Sequence, residues 1–105
     1  MINNVELLLN HRIVQCQGNI VSDMDGEKVM MNINNGNYYN LGRMGGTIWE
    51  LLASPISTSK LVEALMNEYE VEQAVCEEQV ISFLKRLLDE NLIQFAEELH
   101  PQLQP

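Results

Sequence analysis

Two dipeptides that favour tight β-hairpin turns, Asp25-Gly26 and Asn35-Gly36, each lie between short apolar runs. Both residues of such a pair tolerate the positive φ angles that a type I′ turn requires. Two hairpin turns in one stretch constrain the first half of the chain to a β-meander. The predicted antiparallel strands cover approximately residues 20–25, 28–33 and 37–41.

After Arg43, the spacing of the apolar residues changes from that of strands to that of helices. The apolar residues within 48–52 predict a short helix that ends before Pro55, because the residue before a proline is disfavoured in the α region. Ser57 is a suitable N-cap for a second helix. A third and longer helix is predicted over about residues 73–90, followed by a short apolar segment that packs back onto the core.

These elements predict an α+β fold in which a three-stranded antiparallel meander is followed by three helices. The 105 residues are enough for one domain with its own core and too few for two. The segment before the meander, residues 13–17, either adds a strand or lies irregularly against the sheet.

Acidic residues outnumber basic ones throughout the chain. Fifteen Asp and Glu residues against six Lys and Arg residues give a formal net charge of −9. Residues 1–55 contain five acids and three bases, whereas residues 56–105 contain ten acids and three bases, so most of the charge lies in the helical half. Nucleic acids and anionic membranes are bound largely through Lys and Arg. The charge therefore argues against both classes of partner.

The sequence also predicts a soluble protein of the cytoplasm. No apolar stretch approaches the roughly 18 residues that a membrane span needs. The first twelve residues lack the basic and apolar regions of a signal peptide. The two cysteines, Cys16 and Cys76, have no CxxC spacing. A single disulfide between them is compatible with the sequence, but reduced thiols are expected in a cytosolic chain.

The sequence contains no recognisable catalytic or metal-binding motif. The two histidines, His11 and His100, lie near opposite ends, and no zinc-ligand spacing occurs. Gly45-Gly46 lacks the lysine and the third glycine of a phosphate-binding loop, and predicts close packing instead. Acid pairs at a helix start, such as Glu77-Glu78, are interpreted as a solvated face. We therefore expect no enzyme activity, no metal and no cofactor.

The third predicted strand is the most distinctive candidate for a binding site. It leads directly into the first helix, so we expect it to be an edge of the sheet, and it contains neither the lysine nor the proline that commonly protects an edge. In one interpretation, Tyr39 and Leu41 point into the core by alternation and Tyr38 is half-covered. In the other, an extended peptide adds to this edge as a fourth strand, with the tyrosines as anchors.

The same strand carries a resemblance to a known family. The chain resembles the PqqD family in three segments: Tyr38–Gly42, Gly46–Leu52 and Ser57-Thr58. The closing apolar pattern is similar as well, at Val80, Phe83, Leu84, Leu87, Leu92 and Ile93. Leu41-Gly42 departs from the Leu-Asn that usually precedes the first helix of the family. The resemblance covers about residues 18–95, which leaves residues 1–17 as an N-terminal segment and residues 96–105 as a frayed tail.

The resemblance implies a winged-helix-like RiPP recognition element, a module for ribosomally made and post-translationally modified peptides. The chain is most similar to the stand-alone leader-binding proteins of lasso peptide biosynthesis. Such a module binds the leader segment of a precursor peptide and presents it to modifying enzymes, in this case a leader peptidase and a cyclase. The leader is expected to pair with the third strand and to lie between that strand and the third helix.

The two walls of this cleft are assigned to named residues. The strand wall comprises Tyr38, Tyr39, Asn40 and Leu41. For the helix wall, the helical wheel leads us to predict Ile81, Lys85 and Leu88. We assign Phe83 and Leu87 to the core, and the reverse assignment of the two flanks is the alternative.

Two other functions stay open at this point. A winged-helix outline is also typical of DNA-binding regulators, but the third helix offers only Lys85 and Arg86 against four acids. A generic protein-interaction subunit that binds an enzyme is the second alternative. The chain is expected to be a monomer, or a strand-exchanged dimer formed through the open edge.

Overall fold

The computed structural model describes residues 8–96 of the 105-residue chain. Its strands and helices follow in the order β1 (Arg12–Gln15), β2 (Asn19–Met24), β3 (Glu27–Asn32), β4 (Tyr38–Leu41), α1 (Gly42–Leu51), β5 (Ile56–Ser57), α2 (Thr58–Glu68), α3 (Gln73–Asp89) and β6 (Ile93–Phe95). The predicted winged-helix-like α+β fold, a meander followed by three helices, is confirmed. The predicted frayed tail falls almost entirely on residues 97–105, outside the described part of the chain.

Strands β2, β3 and β4 form the predicted meander, in that order across the sheet. β2 pairs antiparallel with β3 from Asn19 opposite Asn32 to Met24 opposite Glu27. Asp25-Gly26 connects these two strands with φ angles of 59° and 86°. Two successive positive φ angles are what a type I′ turn requires, so the prediction for this turn is confirmed.

The connection between β3 and β4 is longer than the sequence predicts. Residues 33–37 separate the strands, and of the Asn35-Gly36 pair only Gly36 has a positive φ, of 74°. The buried Asn32 explains the longer loop. Its side-chain Oδ1 accepts a hydrogen bond from the Asn35 N–H at 2.9 Å, and its carbonyl accepts one from the Gly36 N–H at 2.8 Å. Side-chain bonds of this kind stabilise turns. The hairpin is confirmed, but the two-residue type I′ turn at this position is wrong.

A second antiparallel sheet, with the strand order β5-β1-β6, completes the fold. β1 pairs with β6 from Ile13 opposite Phe95 to Gln15 opposite Ile93. The segment before the meander therefore adds a strand, but to this second sheet and not to the meander. The apolar segment after α3 packs back onto the core as predicted, in the form of β6.

Local sequence explains where the helices begin and end. α2 begins after Ser57, whose Oγ accepts a hydrogen bond from the Lys60 N–H at 3.2 Å, as the predicted N-cap should. α1 begins at Gly42, six residues before the predicted apolar run. The sequence pattern does not reveal this start, because residues 43–47 include small and polar side chains that interrupt the apolar periodicity. None of the helices within residues 8–96 is long and apolar enough to cross a membrane.

One hydrophobic core joins both sheets to the helices. Its buried side chains are Leu8, Ile13, Met30, Leu41, Ile48, Trp49, Leu52, Leu61, Val62, Leu65, Cys76, Val80, Leu84, Leu87, Leu92, Ile93 and Phe95. Gly46 of α1 lies against β3 so closely that an added Cβ would overlap the side-chain stem of Lys28. Any larger residue at this position would force the Lys28 stem or the helix to shift, which is the close packing that the sequence predicts.

Candidate functional site

β4 lies at the edge of the meander, with β3 on one side and no strand of residues 8–96 on the other. Its four residues, Tyr38–Leu41, carry no charge and include no proline. Edge strands are commonly protected by lysine, proline or a bulge, because unpaired backbone groups invite another strand. The open side of β4, called here the β4 edge, is therefore a candidate site for strand addition.

The hydrogen-bond pattern shows which backbone groups face outward from the β4 edge. The Asn32 N–H donates to the Asn37 carbonyl at 3.0 Å, so this opposed pair is hydrogen-bonded. Hydrogen-bonded and non-hydrogen-bonded pairs alternate along an antiparallel ladder. In the same register, Tyr39 lies opposite Met30 in a hydrogen-bonded position. The backbone N–H and C=O groups of Tyr38 and Asn40 consequently point away from β3 and towards an incoming strand.

The side chains of β4 alternate between the two faces of the sheet. Leu41 is buried and Tyr39 is half-buried, both on the face that packs against the core, called here the inner face. Tyr38 and Asn40 are exposed on the opposite face, and Tyr38 retains 72% of its accessible surface. The predicted alternation is confirmed for Tyr39 and Leu41, and Tyr38 is more exposed than half-covered.

Asn40 has a second part in the site, at the junction of β4 and α1. Its Oδ1 accepts a hydrogen bond from the Gly42 N–H at 3.0 Å. Gly42 has a φ of +72°, in the left-handed region that favours glycine. The Leu41-Gly42 sequence is thus suited to a turn that Asn40 closes with its side chain.

Tyr39 connects the β4 edge to the end of α3. Its hydroxyl donates to Glu90 Oε1 at 2.9 Å and accepts from Asn35 Nδ2 at 3.1 Å. Farther along the inner face, an added Cβ on Gly45 would lie 3.0 Å from Phe83 Cζ and 3.4 Å from Leu41 Cβ. Glu90, which caps α3, therefore contacts β4, and Phe83, farther back along the helix, lies beside the start of α1. We call the junction of β4 and α1 the β4–α1 corner.

The predicted helix-wall residues lie on the other flank of α3. Ile81 and Leu88 are half-buried and pack against the core, whereas Lys85 is exposed. Ile81 and Lys85 line a surface depression of about 510 Å³, and Leu88 is not among its described lining residues. Of the two residues that the sequence assigns to the core, Leu87 is buried and Phe83 is half-buried.

Sequence reasoning did not single out Glu90 as a site residue. A usable signal was present, because residues seven apart on a helix share a face, and Glu90 is seven residues after Phe83. The partner of Glu90, Tyr39, is 51 residues away, so no local pattern could connect them.

Charges near the site are paired or balanced by charges of the opposite sign. Lys28, on the inner face of β3, forms ion pairs with Glu50 at 3.2 Å and Asp23 at 3.3 Å. The pKa of Lys28 is raised, first by its hydrogen bond to Glu50 and then by that to Asp23. Along α3, the depression that Lys85 lines also has Arg86, Glu78 and Asp89 at its wall, so two basic residues stand beside two acidic ones. This arrangement lacks the excess of Lys and Arg that contacts with nucleic-acid phosphates need.

The described residues include no cluster of three or more His, Cys, Asp or Glu side chains suited to a metal ion. Cys16 and Cys76 are free thiols. Burial raises the pKa of the Cys16 thiol. Burial and, to a smaller extent, the nearby Glu77 carboxylate raise the pKa of the Cys76 thiol. Raised pKa values make both thiols poor nucleophiles at neutral pH.

Comparison with solved structures identifies similar folds. TbiB1 in complex with the TbiA(beta) leader peptide is 26% identical, with a TM-score of 0.69 over 77% of this chain and 94% of that chain. Lasso peptide synthetase B1 complexed with the leader peptide is 21% identical, with a TM-score of 0.67 over 78% and 96% of the two chains.

A third similar structure is the PqqD truncation of Methylobacterium extorquens PqqCD, a stand-alone RiPP recognition element. It is 13% identical, with a TM-score of 0.66 over 79% of this chain and 88% of that chain. A search of curated protein sequences found no significant match.

The family comparison covers most of the elements described above. The model of the family described as coenzyme PQQ synthesis protein D (PqqD) matches residues 27–93, from the start of β3 to the first residue of β6. This range is more than half of the chain and includes the β4 edge and all of α3. The protein therefore belongs to the PqqD family.

Proposed function

We propose that this protein binds the leader segment of a ribosomally made precursor peptide of the lasso class, as an added strand on the β4 edge. The observation that carries the proposal is the uncharged, open β4 edge, from which the backbone groups of Tyr38 and Asn40 point outward. Two structures with the same fold, TbiB1 and lasso peptide synthetase B1, were solved with leader peptides bound.

Strand addition gives both affinity and specificity. Backbone hydrogen bonds to Tyr38 and Asn40 each contribute about 0.5–1.5 kcal/mol. Leader side chains on the inner face would lie beside Tyr39 and Leu41, and each well-buried apolar anchor contributes about 1.5–3 kcal/mol. After the cost of ordering a disordered peptide, a net binding free energy near −8 kcal/mol corresponds to roughly micromolar affinity.

The helix side of the cleft is part of the same proposal. The predicted wall consists of Ile81, Lys85 and Leu88, whereas Phe83 and Glu90 are the α3-side residues with contacts at the β4–α1 corner. A peptide strand on the β4 edge would lie next to this corner. We therefore favour the Phe83–Glu90 flank over the Ile81–Lys85–Leu88 flank as the helix wall.

The protein is proposed to act without catalysis of its own. A leader held on the β4 edge would be presented to a leader peptidase and to a cyclase-type enzyme, which carry out the chemistry. The site of action would be the cytoplasm, where a ribosomal precursor is made. The binding species is proposed to be the monomer, because a strand-exchanged dimer through β4 would occupy the edge that the leader needs.

Fluorescence anisotropy tests the proposal directly. The probe is a fluorescein-labelled synthetic leader peptide, from the precursor whose reading frame neighbours that of this protein. A scrambled peptide of the same composition is the control. Micromolar or tighter binding of the leader, with at least tenfold weaker binding of the scrambled peptide, is expected. Absence of saturation at tens of micromolar protein would refute leader recognition.

A further inference from the structure

The loop between β3 and β4 contains the only asparagine in the chain that directly precedes a glycine, Asn35 before Gly36. An asparagine in this position can lose its side-chain amide without an enzyme, because the backbone nitrogen of the next residue attacks the side-chain carbonyl carbon. A glycine there hinders the attack least, since it has no Cβ. The sequence therefore places one chemically reactive peptide bond directly before the β4 edge.

The surroundings of this peptide bond are open to solvent. Asn35 and Gly36 are both exposed. A Cβ added to Gly36 would have no heavy atom of residues 8–96 within 4 Å, apart from those of its neighbours in the chain. Water and hydroxide can therefore reach the reacting atoms.

Hydrogen bonds hold the Asn35 amide in one orientation. Its Oδ1 accepts from the Asn37 N–H at 2.8 Å, and its Nδ2 donates to the Tyr39 hydroxyl at 3.1 Å. Negative charge develops on Oδ1 during the attack, and the backbone N–H bonded to that oxygen stabilises the charge. The Gly36 N–H donates to the Asn32 carbonyl at 2.8 Å, so this bond must open first. The reaction therefore proceeds slowly, through local openings of the loop.

We propose that Asn35 is a site of spontaneous deamidation and that this modification weakens the leader site. The inference rests on the proposed function. The Gly36 nitrogen forms a bond to Cγ of Asn35, the bond from Cγ to the amide nitrogen breaks, and ammonia leaves with the proton that the Gly36 nitrogen gives up. One water then opens the resulting succinimide ring at either carbonyl, to give aspartate or isoaspartate.

Loss of the amide removes a hydrogen-bond donor next to the β4 edge. In the unmodified chain, Asn35 donates to the Tyr39 hydroxyl, which donates its single proton to Glu90 at 2.9 Å. A carboxylate in place of the amide has no proton to donate, so two anionic acceptors compete for one hydroxyl proton. The two carboxylates also repel each other. Tyr39 therefore loses its bond either to the loop or to the end of α3.

Isoaspartate changes the backbone as well as the charge. The main chain then runs through the former side chain, which lengthens the loop by one CH₂ group. The Asn37 carbonyl at the end of this loop accepts from the Asn32 N–H at 3.0 Å, and Tyr38 follows as the first residue of β4. A longer loop shifts this pairing and the outward groups of Tyr38 that an added strand would use. We therefore expect isoaspartate to weaken leader binding more than aspartate does.

Peptide mapping measures the modification without reference to the leader. The purified full-length protein is incubated at physiological temperature in buffers of pH 6 and pH 9. Electron-transfer fragmentation then assigns aspartate and isoaspartate to individual positions. We expect Asn35 to be modified before any other asparagine, and faster at pH 9, because the attack needs a deprotonated backbone nitrogen.

Fluorescence anisotropy with the labelled leader peptide measures the consequence. We expect at least tenfold weaker binding for the isoaspartate form, isolated by ion exchange, and at least threefold weaker binding for Asn35→Asp. The matched control is Asn34→Asp, which adds the same charge to the same loop at a side chain that lies beside Gly18. Its leader affinity should be unchanged within twofold. Asn35→Gln forms the larger ring more slowly, so its mass and affinity should stay constant during the incubation.

Three results would overturn the inference. Absence of modification at Asn35, or earlier modification of another asparagine, would exclude the site. Equal leader affinity of the fresh and isoaspartate forms would exclude an effect on the leader site. Equal losses for Asn34→Asp and Asn35→Asp would assign the effect to loop charge and not to the Tyr39 contact. If the fresh protein fails to bind the leader, the proposed function fails, whereas peptide mapping and thermal melting of the aged protein still test the modification and its effect on the Tyr39 contact.

Discussion

The hydroxyl of Tyr39 donates a hydrogen bond to Oε1 of Glu90, 2.9 Å away, although 51 residues separate the two in sequence. The bond joins the inner face of an edge strand to the residue that caps the end of α3. It connects β4 to α3 at one end of the cleft in which we place the leader. The hydroxyl at the end of the half-buried Tyr39 ring is thereby bonded to the end of α3.

A double-mutant cycle tests this contact. Tyr39→Phe removes the donating hydroxyl and keeps the ring, and Glu90→Ala removes the accepting carboxylate. We expect each variant to lower the free energy of unfolding by about 0.5–1.5 kcal/mol, because one hydrogen bond to a partly exposed carboxylate is lost. Urea denaturation should give a coupling energy of at least about 0.5 kcal/mol between the two sites. Strictly additive effects would show that the bond does not contribute.

The outward N–H of Asn40 gives a direct test of strand addition. Asn40→Pro removes this donor and places a ring where the incoming strand would pair, so we expect leader affinity to fall by at least tenfold. The ladder to β3 keeps its bonds, because the N–H of Asn40 does not point towards β3. Asn40→Ala is the control, since it loses the side-chain bond to Gly42 but keeps the N–H. Anisotropy measures affinity, and circular dichroism checks the fold of both variants. Unchanged affinity for Asn40→Pro would place the leader elsewhere.

The two flanks of α3 can be separated by a pair of conservative variants. Phe83→Leu keeps an apolar side chain beside Gly45 but removes the aromatic ring, and we expect leader affinity to fall by about fivefold or more, corresponding to about 1 kcal/mol. Ile81→Ala, on the other flank, should leave leader affinity unchanged within twofold. The opposite outcome would restore Ile81, Lys85 and Leu88 as the helix wall. Thermal melting of both variants shows whether a loss of affinity reflects a loss of stability.

Gly46 provides a test of the packing that supports the sheet. In Gly46→Ala, the new methyl group would overlap the Lys28 stem and displace its ammonium from Asp23 and Glu50. Overpacking costs about 1–3 kcal/mol, and it outweighs the gain of about 1 kcal/mol in helix propensity. We expect a net loss of about 1 kcal/mol in the free energy of unfolding. The loss should shrink in a Lys28→Ala background, and an equal loss in both backgrounds would assign it to another contact.

The two cysteines should differ in reactivity. Both thiols have raised pKa values through burial, so iodoacetamide should modify each more slowly at pH 7 than it modifies a free thiol. Cys16 should react before Cys76, because Cys16 is partly exposed and Cys76 is fully buried. The folded state resists ionisation of both thiols. The free energy of unfolding should therefore decrease as the pH rises above about 8.5, where the unfolded thiols ionise. Mass spectrometry of alkylation time courses measures the order, and faster modification of Cys76 would contradict it.

Much of the fold could be predicted from local sequence because local chemistry decides it. Asp25-Gly26 forms its type I′ turn from its own φ preferences, and Ser57 caps α2 through a bond that spans three residues. The alternation of Tyr39 and Leu41 towards the core follows from the two-residue period of a strand. The uncharged β4 edge could also be predicted from the sequence, because both its position in the meander and its composition are local properties.

Tertiary structure decided what depends on partners distant in sequence. Asn32 is held in place by a hydrogen bond to Asn19 of the neighbouring strand, and its own side chain then lengthens the second hairpin loop. β1 could be recognised as a strand, but its sheet is set by pairing with β5 and β6, more than forty residues away. The flank of α3 that meets β4 depends on Glu90 reaching Tyr39 and on Phe83 packing beside Gly45. A helical wheel ranks both flanks as apolar, and only the packed arrangement of the elements distinguishes them.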